Sequence, residues 1–251
     1  NVKLCDSIYS GLGIFLLRFI KHIGIGLLNV NKIISKSKEV LFIVGSNNQY
    51  NSLKDIQFKM SDSSSFVSFA SPTTSKVAII FPLAIAYFIA LLLSPIAAIV
   101  FFRFEKKDRQ MIKCILPEYL LSFGLSVSLA LFLKWRKPKV LVISNDHNFN
   151  SRLANFIARR QGIKTVYVQH ATVGDDFPKL EFDLALLEGE DAQNKYLAKG
   201  SDKSKIKLIG MPKFDAYLEY KKTNTKMKAI GIGLSIFDDI EIVQGVLRRI
   251  K

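Results

Sequence analysis

An α/β fold with a doubly wound, mostly parallel sheet is predicted by the second half of this sequence. From Lys139 onward, short apolar runs alternate with amphipathic, helix-like segments, the order that builds βαβ units. Each run stops at Gly or at a polar turn, as short buried strands do. The chain has 251 residues, enough for one large domain, or one and a fraction, with an ample core.

The elements follow in order. Residues 8 to 28 form a basic, apolar, glycine-containing helix candidate, suited to a membrane interface or to packing as an N-terminal helix. Glu39 to Gly45 holds a first buried strand, and Phe66 to Ala70 a second after the serine-rich turn Ser61 to Ser65. Val77 to Phe102 is an uncharged apolar run of 26 residues interrupted by Pro82, Ser94 and Pro95. By length it is a transmembrane candidate. A single crossing would put the strands at 40–45 and 140–143 on opposite sides of a bilayer. A hairpin returning through Cys114 to Leu133 would expose Arg103, Lys106, Lys107, Arg109 and Lys113 on the outer face, against the positive-inside tendency. The expectation is therefore a membrane-dipping or interfacial helical insertion broken near Pro95, with a buried helical pair as the alternative. The return segment, carrying Glu118, reads as the helix before the next strand.

The regular part begins with a strand at Val140 to Ser144 and a helix from Asn150 to Gln161, closed by Gly162. A strand at Thr165 to Gln169 and another at Phe182 to Leu187 follow. A helix from about Asp191 to Lys199, a strand at Ile206 to Gly210 and a short helix at Phe214 to Lys222 complete the series. Thr223-Asn224-Thr225 reads as a linker, Lys228 to Leu234 as a new strand and Asp238 to Lys251 as a helix. The expected organisation is an apolar, basic N-terminal helix (1–36), a Rossmann-like domain with the apolar insertion 77–102 (37–222), and a linker with the start of a second domain (223–251). Starting at Asn1 and stopping inside a helical pattern, the chain is expected to be part of a longer protein, inactive as this piece.

A net charge of +15, from 36 Lys and Arg against 21 Asp and Glu, favours anionic partners. No basic run interleaves with aromatics along the linear sequence, and no zinc-finger or RNP-like spacing appears, which argues against nucleic acid. The Lys and Arg residues instead flank the most apolar stretches, which suits an anionic membrane face. Cys5 and Cys114 lack metal-ligand spacing and read as buried or free thiols of a reducing compartment. No cleavable signal peptide is evident, because Arg18, Lys21 and His22 break the early apolar stretch.

Residues able to carry chemistry collect where the strands end, and in open α/β sheets ligands bind outside those carboxyl ends. Asn145, Asp146 and His147 leave the strand at 140–143, with Asn148 or Asn150 placed to cap the next helix. Turn and cap chemistry accounts for this cluster equally well. Gln169 and His170, with Ala171 and Thr172, end the following strand. An imidazole there can accept a proton near neutral pH. Glu188, Glu190 and Asp191 follow the strand at 185–187, where carboxylates could position a hydroxyl or suit a helix N-terminus. Gly210, Lys213 and Asp215 lie in Gly-Met-Pro-Lys-Phe-Asp, a tight strand-to-helix turn. Gly231 and Gly233 form half of a glycine-rich phosphate loop. No Walker motif, nucleophile elbow or zinc signature is present, and no metal is expected.

The combination of a strand ending in Gln169-His170, an acidic strand end at Glu188, and Gly210-x-Pro-Lys-x-Asp215 before a linker and a new βα unit resembles the GT-B glycosyltransferases. The nearest in pattern are the bacterial CDP-glycerol glycerophosphotransferases and the capsule and polysialic-acid transferases. The resemblance covers about residues 139–245 and rests on short motifs. This sequence has Ala171 where those families usually have glycine. The resemblance implies that His170 is the base that deprotonates the acceptor hydroxyl. Asp146 is a second catalytic candidate from its place at the strand end. Asn145, His147, Gln169, Thr172, Glu188, Glu190, Gly210, Lys213 and Asp215 are the substrate-binding candidates. It also implies a nucleotide-activated sugar or polyol donor held largely by the C-terminal domain, a glycan or lipid-linked acceptor, and no cofactor. The expected setting is cell-surface polysaccharide synthesis at the cytoplasmic face of the membrane. A UDP-sugar 2-epimerase of the same architecture and a non-catalytic membrane-associated α/β binding protein are the alternatives.

Overall fold

The computed structural model describes residues 7–36, 38–69 and 79–217, together with 241, 244, 245 and 248. Seven strands form one sheet: β1 (Val40–Val44), β2 (Ser64–Ser68), β3 (Ile79–Ile80), β4 (Val140–Ile143), β5 (Lys164–Val168), β6 (Leu184–Leu187) and β7 (Ile206–Leu208). All neighbours pair in parallel. The order is β3-β2-β1-β4-β5-β6-β7, the Rossmann order extended by one strand. The chain builds outward from β1 to β3, returns to lay β4 beside β1, and builds outward again. The reversal puts the topological switch point between β1 and β4.

The apolar runs form strands because both faces of the sheet are covered. Every residue of β1 is buried. Its side chains divide by alternation, with Leu41 and Ile43 on one face and Val40, Phe42 and Val44 on the other. The first face packs against α7 (Leu116–Arg136), α8 (Phe149–Arg160) and α9 (Glu190–Ala198) through Leu125, Leu129, Ile157, Ala158 and Tyr196. The second packs against α3 (Asn47–Phe58), mainly Leu53. Burying a side chain such as Phe42 contributes about 1.5–3 kcal/mol.

Several segments differ from the sequence expectation: β2 begins at Ser64, inside the expected serine turn, and a 3-10 turn from Pro212 stands where a helix from Phe214 was expected. The head of the apolar run 77–102 is not helical: Ile79 and Ile80 form the edge strand β3, in register with Val67 and Ser68. The helix α3 was not expected, because its sequence is polar and buries only Gln49, Ser52 and Leu53.

The rest of the apolar run forms α4 (Leu83–Leu92) and α5 (Ser94–Arg103), bent by 67°. Pro95 lies in the first turn of α5, where its missing N–H costs nothing but the preceding helix cannot continue straight. A basic helix, α6 (Lys106–Cys114), then leads to α7. Helix α4 lies directly on α7, and a Cβ at Gly124 would sit 1.9 Å from the Ala86 carbonyl oxygen. Over this pair lies α1 (Ile8–Leu28), followed by the short α2 (Val30–Ile33). Phe15 of α1 packs with Tyr87 and Ala90, and Arg18 pairs with Glu118 at 2.7 Å. Among the described residues, α1 and α7 are long and apolar enough to cross a membrane, and the bent α4–α5 pair qualifies when taken as one span.

The chain divides into two compact units, residues 1–215 and 216–251. The linker at 223–225, the strand at 228–234 with Gly231 and Gly233, and most of the helix after 238 lie outside the described residues, as does Cys5. Cys114 is exposed and free.

Candidate active site at the carboxyl edge of the sheet

Parallel pairing brings the ends of β1, β4, β5, β6 and β7 to one edge of the sheet. The loop after β4 is shaped by Asn145. Its Oδ1 accepts hydrogen bonds from the backbone N–H groups of His147 (3.1 Å) and Asn148 (2.8 Å). This turn fixes the start of α8, and Asn148, not Asn150, is the cap, accepting from Ser151 N at 2.8 Å. Such a cap contributes about 1 kcal/mol.

Asp146 is buried at the base of this loop. Its Oδ2 accepts a 2.5 Å hydrogen bond from the Tyr196 hydroxyl, which reaches it from α9. The Tyr167 hydroxyl lies 3.3 Å from that of Tyr196. Burial, the partner phenol and the Asp146 charge push the Tyr196 hydroxyl far above the usual tyrosine range. Burial and the Asp146 charge do the same for Tyr167. Both phenols are therefore neutral, and Tyr196 holds Asp146 inside the protein.

The other oxygen of Asp146 lies 3.3 Å from His147 Nδ1. The Asn145 oxygen is already committed to two backbone donors, so its amide nitrogen faces His147 Nε2 at 3.4 Å. That arrangement selects the tautomer with the proton on Nδ1, shared with Asp146, and the lone pair on Nε2. The His147 ring is exposed and rests on Phe177, with centroids 4.6 Å apart.

Gln169 and His170 follow β5. Gln169 is buried and clasps the end of β6: Glu188 N donates to Gln169 Oε1 at 3.0 Å, and Gln169 Nε2 reaches Ala171 O at 3.0 Å and Glu188 Oε2 at 3.4 Å. The clasp fixes the backbone immediately around His170, which is half-buried, while Thr172 is exposed. Glu190 and Asp191 occupy the first turn of α9 with no side-chain cap, and Asp191 pairs with Lys195 at 2.9 Å. After β7, Gly210 takes a φ of 72°, a left-handed conformation that favours glycine. Lys213 and Asp215 then lie in a 3-10 turn, Pro212–Tyr217, with Asp215 exposed.

The strand ends thus gather Asn145, Asp146, His147, Gln169, His170 and Glu188 on adjacent strands β4, β5 and β6. Gly210, Lys213 and Asp215 follow the outermost strand. Sequence reasoning missed Gly45 and Ser46, which follow β1 on the other side of the switch point. Ser46 caps α3, accepting from Gln49 N, and Gln49 Oε1 in turn accepts from Gly45 N at 2.6 Å. The Gly-Ser-Asn turn was visible, but the strand order that places it beside Asn145 was not. Among the described residues no three His, Cys, Asp or Glu side chains converge.

No protein-family model matches the chain, and no curated protein does. Solved structures similar to it include UDP-N-acetylglucosamine 2-epimerase from Rickettsia bellii, with 13% identity, a TM-score of 0.43, and 72% of this chain and 48% of that one covered. The enzyme from Neisseria meningitidis bound to UDP-GlcNAc shares 12% identity with a TM-score of 0.42, over 71% of this chain and 47% of that one. A third UDP-N-acetylglucosamine 2-epimerase gives 12% and 0.39, over 68% and 46%. The chain spans about half the length of these proteins.

Proposed function

We propose that this chain carries the acceptor-side half of a membrane-associated transferase of GT-B architecture. It would move a sugar or glycerophosphate unit from a nucleotide-activated donor in bacterial cell-surface polysaccharide synthesis, at the cytoplasmic face of the membrane. The observation that carries this reading is the meeting of His170, the Gln169–Glu188 clasp and the Asp146–His147 pair on neighbouring strand ends. His170 takes the acceptor hydroxyl proton while that oxygen attacks the activated carbon or phosphorus of the donor. The bond to the nucleotide breaks, and the nucleotide leaves with the electron pair. The clasp holds the His170 backbone still, so the base needs no rearrangement to reach the hydroxyl. The donor is held largely by the C-terminal half. The motif resemblance through Gly210, Lys213 and Asp215 supports the transferase class.

Replacing His170 with Ala in the full-length protein tests the assignment. Transfer should fall by about 10²–10⁴-fold, the usual contribution of a positioned base, while donor binding persists. Undiminished transfer would overturn it. The geometry of His147, with its Nδ1 toward buried Asp146 and its Nε2 lone pair free of a proton, favours a second assignment in which His147 is the base. If His147→Gln removes the ascending limb of the pH–rate profile and His170→Ala does not, that assignment holds. A UDP-sugar 2-epimerase on the same architecture would instead form the 2-epimer with no acceptor present. A binding protein would show neither product.

A further inference from the structure

At the β3 end of the sheet, a cavity of about 300 Å³ opens between the N-terminal helices and the head of α4. Its floor is Phe69, Ile80 and Phe81, all buried. The last turns of α1, together with α2, form one wall, and the start of α4 forms the other. Ile23, Leu27, Val30 and Ile85 make an exposed rim. Small residues keep the space open. Gly26 lines it, and a Cβ added there would meet nothing within 4 Å, while Ala84 lines it from α4.

The lining decides what can fill this space. Among the described residues that line it, only His22 has a polar side-chain atom. An enclosed water needs about three polar partners, so water is a poor occupant, and an empty cavity forfeits the dispersion contacts of its walls. An apolar cavity of about 150 Å³ takes up benzene, and this one is about twice as large and open on one side, which suits a hydrocarbon chain. The rim also continues a stripe on α1. Leu16, Ile20, Ile23 and Leu27 fall at i, i+4, i+7 and i+11, and all four are exposed. At the inner end of that stripe the His22 ring stacks on Tyr87, with centroids 5.4 Å apart. Lys21 and Arg18 bring positive charge to His22, and Lys21 is exposed.

We propose that this cavity binds one acyl chain of an anionic phospholipid, which enters along the α1 stripe and leaves its phosphate at the Lys21–His22 end. The inference rests on the membrane association in the reading above and not on the transfer reaction. The chain replaces the missing contacts of Phe69, Ile80 and Phe81, and each buried methylene adds to the affinity. Lys21 and His22 supply donors to the phosphate oxygens. A side chain from a partner protein would fill the apolar walls but would leave the cationic end unused.

The test measures uptake of monomeric lysophosphatidylglycerols of increasing chain length by the full-length protein held in amphipol, with bound molecules counted by native mass spectrometry. Lysophosphatidylcholine, a polyprenyl phosphate and chain-free glycerol phosphate serve as comparisons. One molecule should bind per protein chain. Affinity should rise about fourfold with each added methylene and level off once the cavity is full. Gly26→Leu with Ala84→Phe fills the cavity and should weaken binding at least about tenfold. Gly26→Leu alone, favoured by helix propensity and by the open space at its Cβ, should weaken it in part without lowering the thermal midpoint. Lys21→Gln should remove the preference over lysophosphatidylcholine. Binding that ignores the filled cavity overturns the proposal, as does uptake of many molecules with no plateau, or a preference for the polyprenyl phosphate. If the protein floats with phosphatidylglycerol vesicles yet takes up no chain, the cavity site falls and the membrane reading stands. Uptake of one chain by a protein that does not float gives the reverse.

Discussion

The Tyr196 hydroxyl and the Asp146 carboxylate meet at 2.5 Å with both side chains buried. Asp146 is solvent-remote, and α9 delivers a phenol to it from 50 residues away in sequence. A carboxylate so placed is better suited to orienting His147 than to meeting substrate directly. Tyr196→Phe should destabilise the protein by about 1–3 kcal/mol, because it leaves a buried acceptor short of its donor. The pH dependence has a definite sign. The folded-state pKa of Tyr196 is raised, whereas an unfolded tyrosine ionises near 10. Its contribution is complete below about pH 10 and is lost as pH rises further. Denaturant titrations between neutral pH and pH 11 should show an alkaline loss of stability that Tyr196→Phe reduces. An equal alkaline loss in the variant would show that Tyr196 does not carry it.

Gly124 of α7 poses a conflict between local propensity and packing. In an isolated helix, Ala in place of Gly gains about 0.8–1 kcal/mol. Here the added Cβ would meet the Ala86 carbonyl oxygen at 1.9 Å and the Ala90 nitrogen at 2.5 Å, and backbone cannot step aside as a side chain does. Overpacking of this kind costs about 1–3 kcal/mol, so Gly124→Ala should lower the thermal midpoint. Gly13→Ala in α1, with nothing within 4 Å of its added Cβ, should not lower it. A raised midpoint for Gly124→Ala would mean that α4 does not lie on α7 as described. The same scale shows what the sequence could reveal. Strands β1, β4, β5 and β6 were legible because strands covered on both faces read as unbroken apolar runs. Helix α3 was not, because so little of it is buried. Strand β3 was hidden at the head of a run that also supplies two helices, where periodicity cannot separate strand from helix. The strand-end location of His170 and Asp146 could be read directly. The Gln169–Glu188 clasp, the Tyr196 partner and the proximity of Gly45 could not, because they depend on strand order and on contacts between distant segments.

At the level of the whole molecule, the apolar surface is distributed unevenly. Only 11% of the apolar window of α1 is buried, and Leu16, Leu17 and Ile20 are 48%, 69% and 66% exposed. Helix α5 adds Ile96, Ile99 and Phe102, all exposed. The adjoining α6 carries Lys106, Lys107, Arg109 and Lys113 without a buried residue. Large exposed apolar patches mark interaction surfaces, and nearby cations are drawn to anionic lipid headgroups by about 1 kcal/mol each. With the chain at +15, these two contributions should act together. The full-length protein should float with vesicles containing phosphatidylglycerol and bind uncharged vesicles less well. Leu17→Glu with Ile20→Glu should weaken flotation without lowering the thermal midpoint, because both side chains already face outward. Neutralising Lys106, Lys107 and Arg109 should reduce the dependence on anionic lipid and on salt. Protein that remains in the soluble fraction with every vesicle composition would assign these faces to a protein partner instead.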